Sequence, residues 1–143
     1  MARPQKNRKI KEPPVFSRFK PAGVKGKALD RIVLLIDEYE AIRLADNLGM
    51  SHEEAADEME ISRPTFTRLV EQARKKVSDM FIKGKMIVIE GGKVHFSKNL
   101  FKCRSCGNLF GVNISENMKQ CPSCGSEELM NLAGGFGHGK CCL

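Results

Sequence analysis

Two copies of one short pattern, Cys103-Arg-Ser-Cys106-Gly107 and Cys121-Pro-Ser-Cys124-Gly125, constrain this chain more than any other feature. Each Cys-x-x-Cys lets two thiolates converge on one ion, and the glycine that follows permits a tight turn that aims backbone N–H groups at sulfur. Fourteen residues separate the pairs. This spacing reads as metal binding rather than as a disulfide framework. Four thiolates close a tetrahedral shell and leave no position open, so Cys103, Cys106, Cys121 and Cys124 predict a structural Zn2+ site, with iron as the alternative. Such a small module has almost no core, so the ion would supply much of its folding energy. The expected ribbon covers 99–130.

Upstream, the hydrophobic pattern predicts three helices. The first starts at Asp37, with Glu40 completing a capping box, and carries Ala41, Ile42, Ala45 and Leu48 as its apolar stripe. The second starts at Ser51, with Glu54 at its third position. The third starts at Ser62 and repeats Phe66, Leu69, Val70, Ala73, Val77 and Met80 at intervals of three and four. Residues 52–69 have the layout of a helix-turn-helix. Ala56 is small where two backbones approach, Ile61 plugs the turn, and Ser62 caps the next helix. The turn position usually filled by glycine is Glu60, a departure from the pattern.

At about 100° per residue, a third helix centred on Phe66, Ala73 and Val77 turns Arg68 and Lys75 outward, flanked by Thr65, Thr67 and Gln72. Recognition helices present such residues to base edges, and an arginine fork fits guanine. Arg68 is the leading base reader, with Thr65, Thr67 and Gln72 behind it. Arg63, Arg74, Lys75 and Lys76 are read as phosphate contacts, which set affinity and register rather than sequence.

Charge supports a polyanion as partner. Residues 1–27 hold nine Lys/Arg against Glu12 alone, a local +8 that exceeds the whole chain's formal net charge of +7 and leaves the remainder at −1. Four prolines and few apolar residues make this stretch read as a flexible basic arm. The remaining plan is a helix-turn-helix domain over 28–82, a β-hairpin over 83–98 around Gly91-Gly92, and a Gly-rich tail over 131–143. The expected fold class is therefore mainly α with small β: a tri-helical domain, a hairpin and a ribbon.

No signal peptide, membrane-length apolar run, phosphate loop, paired carboxylates or activated nucleophile is evident. A non-enzymatic protein of the reducing cytoplasm is the expectation. His52 and His95 read as exposed positions. His138, Cys141 and Cys142 read as tail residues, with a second metal or redox site as the sharper alternative.

Taken together, MARPQKNRKI, FKPAG (19–23), DEYEAIRLAD (37–46), EEAADEMEISRPTFTRLVEQARKKV (53–77) and GKMIVIEGG (84–92) resemble a prokaryotic family of uncharacterised proteins regarded as DNA-binding. That family's helix-turn-helix is similar to region four of primary sigma factors, the part that reads promoter DNA. The resemblance covers roughly residues 1–95. It implies double-stranded DNA as partner, contacted through the segment from Arg63 to Gln72, and leaves the role of the ribbon open. The function expected is sequence-specific DNA binding in transcription regulation, with RNA polymerase or a second copy of the chain as further partners. The alternative is a redox or electron-transfer protein with a rubredoxin-like iron site.

Overall fold

A computed structural model describes residues 7–138 and 140–142. These fall into two compact units, one made of residues 7–8 and 16–94, the other of 9–15 and the chain from 95 onward. Among the described residues no helix is long and apolar enough to cross a membrane.

The first unit is built on two parallel strands, β3 (Arg31–Leu34) and β4 (Met86–Ile89), in register from Arg31 opposite Met86 to Leu34 opposite Ile89. β2 (Arg18–Phe19) adds an antiparallel edge on the other side of β4. Parallel neighbours need a long crossover, and helices supply it. α1 (Ile36–Ile42) runs on through a wider π turn, Arg43–Asn47, and is followed by α2 (His52–Met59) and α3 (Arg63–Lys83). α3 packs on α1, on α2 and on both parallel strands. Phe66, Val70 and Ala73 are its fully buried stripe. All four residues of β4 are buried, as expected of a strand covered on both faces.

The second unit centres on an antiparallel sheet of β6 (Lys98–Cys103), β7 (Leu109–Asn113) and β8 (Leu129–Asn131), ordered β7-β6-β8. A single turn of helix, α4 (Leu132–Gly135), follows β8. Most of the short pairing between β1 (Arg8–Ile10) and β5 (Val94–Phe96) also lies in this unit. Buried Asn99 ties it together. Its Oδ1 accepts the Leu100 and Ala133 N–H groups at 2.8 and 2.9 Å, and its Nδ2 donates to Asn131 Oδ1 at 2.8 Å.

The mainly α, tri-helical expectation is thus corrected. The described residues contain three sheets, and α3, which carries α1 and α2, packs on a mixed β-sheet as well as on its helical neighbours. The hairpin is corrected too. β4 and β5 do not pair with each other, since β4 sits between β2 and β3 and β5 lies beside β1. The run Met-Ile-Val-Ile is continuous, not alternating, which is the mark of a two-sided core strand. Gly91 and Gly92 (φ 76° and 91°) carry the chain out of the sheet. Gly91 O accepts the Ile36 N–H, and a Cβ on Gly92 would lie 3.5 Å from Asp37 Oδ1.

The proline-rich basic stretch contributes β1 and β2. Pro13 and Pro14 are buried, at no hydrogen-bonding cost because proline carries no N–H. Of the arm's bases, Arg3 and Lys6 lie outside the described residues.

Candidate metal centre and candidate nucleic-acid interface

The four cysteines of the two knuckles converge at one end of the β6–β7 pair, where Cys103 closes β6. Their sulfurs lie within 4.8 Å of one another. Cys103 and Cys124 are 3.6 Å apart, and Cys106 and Cys121 3.7 Å. With Zn–S near 2.3 Å, a tetrahedral site has sulfur–sulfur edges of about 3.8 Å. The cage therefore already has the size an ion needs. The two knuckles are built alike. In each, the glycine after the second cysteine takes a positive φ (77° at Gly107, 74° at Gly125) and donates its N–H to the carbonyl of the first cysteine. Backbone N–H groups then face sulfur, from Cys106 to Cys103 at 3.5 Å and from Ser123 to Cys121 at 3.4 Å. Each knuckle contributes one buried thiol, Cys103 or Cys121, and one exposed thiol, Cys106 or Cys124.

Without an ion the four thiols share protons unevenly. Burial opposes charge on Cys121, but the N–H groups of Cys124 and Ser123 outweigh it and hold the thiol at about 6. Cys103 is lowered as well, first by the Cys106 N–H. On Cys124 the Ser126 N–H favours charge, yet the neighbouring sulfurs, Cys103 first, and burial push it up to about 12. Cys106 is raised despite the Asn108 N–H, through burial and the Cys121 sulfur. Four crowded sulfurs cannot all carry charge at once while no cation neutralises them. A divalent ion removes that conflict, and all four can then ionise.

In the other unit, α2 ends at Glu60 in the left-handed conformation (φ 57°, ψ 42°). Ile61 donates its N–H to Ala56 O at 3.0 Å, and Ser62 Oγ caps α3 by accepting the Thr65 N–H at 3.3 Å. Glu60 is the single non-glycine with positive φ among the described residues. A short bend therefore joins two helices between residues 52 and 72, with α3 about 31 Å long. Along its outer face Arg68, Gln72 and Lys75 are exposed and lie within about 60° of one another. Arg63 is exposed at the first turn, whereas Thr65 and Thr67 are half-buried. Thr65 Oγ1 is bound to Ser62 Oγ at 2.8 Å, and Thr67 Oγ1 to His52 Nδ1 at 2.9 Å.

Several bases face acids. Lys75 pairs with Asp79 at 2.8 Å, Arg74 makes two bonds to Asp46, and Lys76 reaches buried Glu38 at 2.6 Å. Arg63 and Arg68 make no ion pair among the described residues.

The chain matches a family model, protein of unknown function DUF134, over residues 1–97. It belongs to this family. Curated relatives carry the name UPF0251 protein. One from Chloroherpeton thalassium is 50% identical over 107 residues, covering 75% of this chain and 71% of that one. One from Methanococcus vannielii is 46% identical over 112 residues, covering 78% and 86%. A third, from Chlorobaculum tepidum, is 40% identical over 145 residues, covering 98% of this chain and 74% of that one. No solved structure matches. The DUF134 match covers α1, α2 and α3 and stops before the first cysteine knuckle.

Two features of this DUF134 chain were not read from the sequence. The acids of α1 are internal: Asp37, Glu38 and Glu40 are buried and bonded to Arg8, Lys76 and Arg43. Their spacing hinted at it, since Glu38 lies within about 60° of core residue Ala41 on the helix. The histidines are also less exposed than expected. His52 packs edge-on against Phe66 at 5.3 Å, and half-buried His95 joins Cys141 and Cys142 in a second cluster of metal donors.

Proposed function

We propose that this protein is a non-catalytic, sequence-specific double-stranded DNA-binding factor of the cytoplasm that serves in transcription regulation. α3 would enter the major groove by its N-terminal half, as in the sigma-factor region the sequence resembles. The observation that carries the reading is Arg68, exposed and without an ion pair among the described residues, on the outer face of a helix held at a bend by its neighbour. An uncompensated guanidinium in that position is suited to the O6 and N7 acceptors of guanine. Gln72 lies one turn further on, and Arg63 stands at the helix start for a phosphate. Lys75, Arg74 and Lys76 are tied to acids and contribute less to phosphate binding than their charge suggests.

The four-cysteine centre would hold Zn2+ and serve as a fold-stabilising element. Its closed four-sulfur shell suits structural zinc, and the same shell takes iron. Visible charge-transfer colour in the purified protein would identify iron and favour the electron-transfer alternative. RNA polymerase and a second copy of the chain are the further partners this reading suggests.

Selection of bound duplexes from a random DNA pool, at fixed salt, tests the reading. The expected result is an enriched motif whose preference relaxes at one position in Arg68→Ala, costing about 1–3 kcal/mol there. No enriched motif from the zinc-loaded full chain would overturn the proposal.

A further inference from the structure

We propose a second metal site, a Zn2+ ion held by Cys141, Cys142, His138 and His95 at the C-terminal end of the chain. It is separate from the four-cysteine centre and does not depend on the DNA-binding reading.

The donors are already gathered. Cys141 Sγ and Cys142 Sγ lie 3.6 Å apart, and His138 Nδ1 is 3.3 Å from the first and 3.4 Å from the second. His95, on β5, offers a ring nitrogen within 4.8 Å of both sulfurs. In a tetrahedral site with Zn–S near 2.3 Å and Zn–N near 2.05 Å, a sulfur–sulfur edge is about 3.8 Å and a sulfur–nitrogen edge about 3.6 Å. The separations among Cys141, Cys142 and His138 need only a few tenths of an ångström of adjustment, and His95 would close on the ion from within 4.8 Å of the two sulfurs.

The surroundings are those of a ligand shell. The Phe96 N–H donates to Cys142 Sγ at 3.3 Å, the type of backbone bond that orients and stabilises a metal-bound thiolate. The Phe96 ring supports His138 edge-on at 4.9 Å, and Phe136 packs on the same ring at 6.5 Å. Phe96 itself is buried. The site is thus assembled on a rigid strand, with His95 and Phe96 consecutive on β5 and the other three donors brought to it from the chain's last residues. Two thiolates and two imidazoles in a tetrahedral arrangement select zinc over harder cations, which prefer oxygen. The ion would close a loop of some 45 residues between His95 and Cys142. In this way it would fix the C-terminal segment, which has little apolar surface of its own.

Metal content of the reduced full chain, produced with excess zinc and desalted, decides the matter when compared with Cys141→Ser/Cys142→Ser. The expected counts are two zinc ions per wild-type chain and one per variant. Equal counts in the two proteins would overturn the second site, whatever their value. The absolute count in the variant reports on the four-cysteine centre alone, where one ion supports it and none removes it, so the two assignments fail separately. Cobalt(II) gives an independent readout. The sulfur-to-cobalt band of the wild type should exceed that of the variant in the ratio of six thiolates to four, and His138→Ala should change the ligand-field bands with all thiols retained. A wild-type cobalt spectrum identical to that of the variant would also overturn the site.

Discussion

Lys76→Met tests whether the acids of α1 are structural. Glu38 keeps 1% of its side chain exposed, and its Oε1 accepts both the Lys76 ammonium at 2.6 Å and the Leu35 N–H at 2.9 Å. Removing the cation strands a buried carboxylate, which typically costs 3–5 kcal/mol. Lys76 is 32% exposed, so solvent can reach the vacated side, and the lower end, about 2–3 kcal/mol, is expected. Glu38→Gln removes the charge but keeps an acceptor for Leu35, and Lys76 can then swing into water, so about 1 kcal/mol is expected. The double variant should cost little more than Glu38→Gln alone, giving a coupling of about 2 kcal/mol. Urea unfolding followed by tyrosine fluorescence reads this unit selectively, because Tyr39 is the only tyrosine, no tryptophan competes, and it neighbours Glu38 on α1. A Lys76→Met midpoint equal to wild type, or a double variant less stable than Lys76→Met, would refute the reasoning.

Three further outcomes follow from the geometry. Glu60→Gly should stabilise the first unit by about 0.5–1 kcal/mol in the same assay, because relief of left-handed strain outweighs the added freedom of the unfolded chain; destabilisation would mean that the Glu60 side chain contributes a contact of comparable size. Asn99→Ala should cost the second unit about 2–4 kcal/mol, since it leaves the buried Leu100 and Ala133 N–H groups without their acceptor; thermal unfolding measured with zinc bound would expose a smaller role. In the metal-free cluster the lowered Cys121 thiol, at about 6, adds stability that is complete above the ordinary thiol value and lost as pH falls through 6, whereas Cys124, pushed up to about 12, acts in the opposite sense. With an ion bound all four must be thiolates, so acidification from pH 8 to 5 should release the metal to a chromogenic chelator, and release on raising the pH instead would contradict this protonation scheme.

The cysteine cage was legible because its chemistry is local: a repeated five-residue pattern determines its own turn, and only the approach of the two halves needs tertiary structure. The bend at residues 60–62 was legible for the same reason, through Ser62 as cap. The sheet beneath the helices was not. Arg31–Leu34 and Met86–Ile89 pair in parallel across more than fifty residues, and no local signal joins two runs so far apart. Met86–Ile89 followed by Gly-Gly imitates a hairpin, and only the burial of both faces tells the two apart. The acids of 37–40 resembled a solvated helix start because sequence does not show which base will meet a carboxylate. Arg8 and Lys76, 29 and 38 residues from their partners, settle that in space.

The uneven exposure of the four ribbon cysteines gives the cage an inside and an outside. A chelator or oxidant arriving from water meets the sulfurs of residues 106 and 124 first, whereas those of 103 and 121 stay shielded behind them. Exchange of the ion would therefore proceed in a fixed order, with the outer bonds opening while the inner pair still grips.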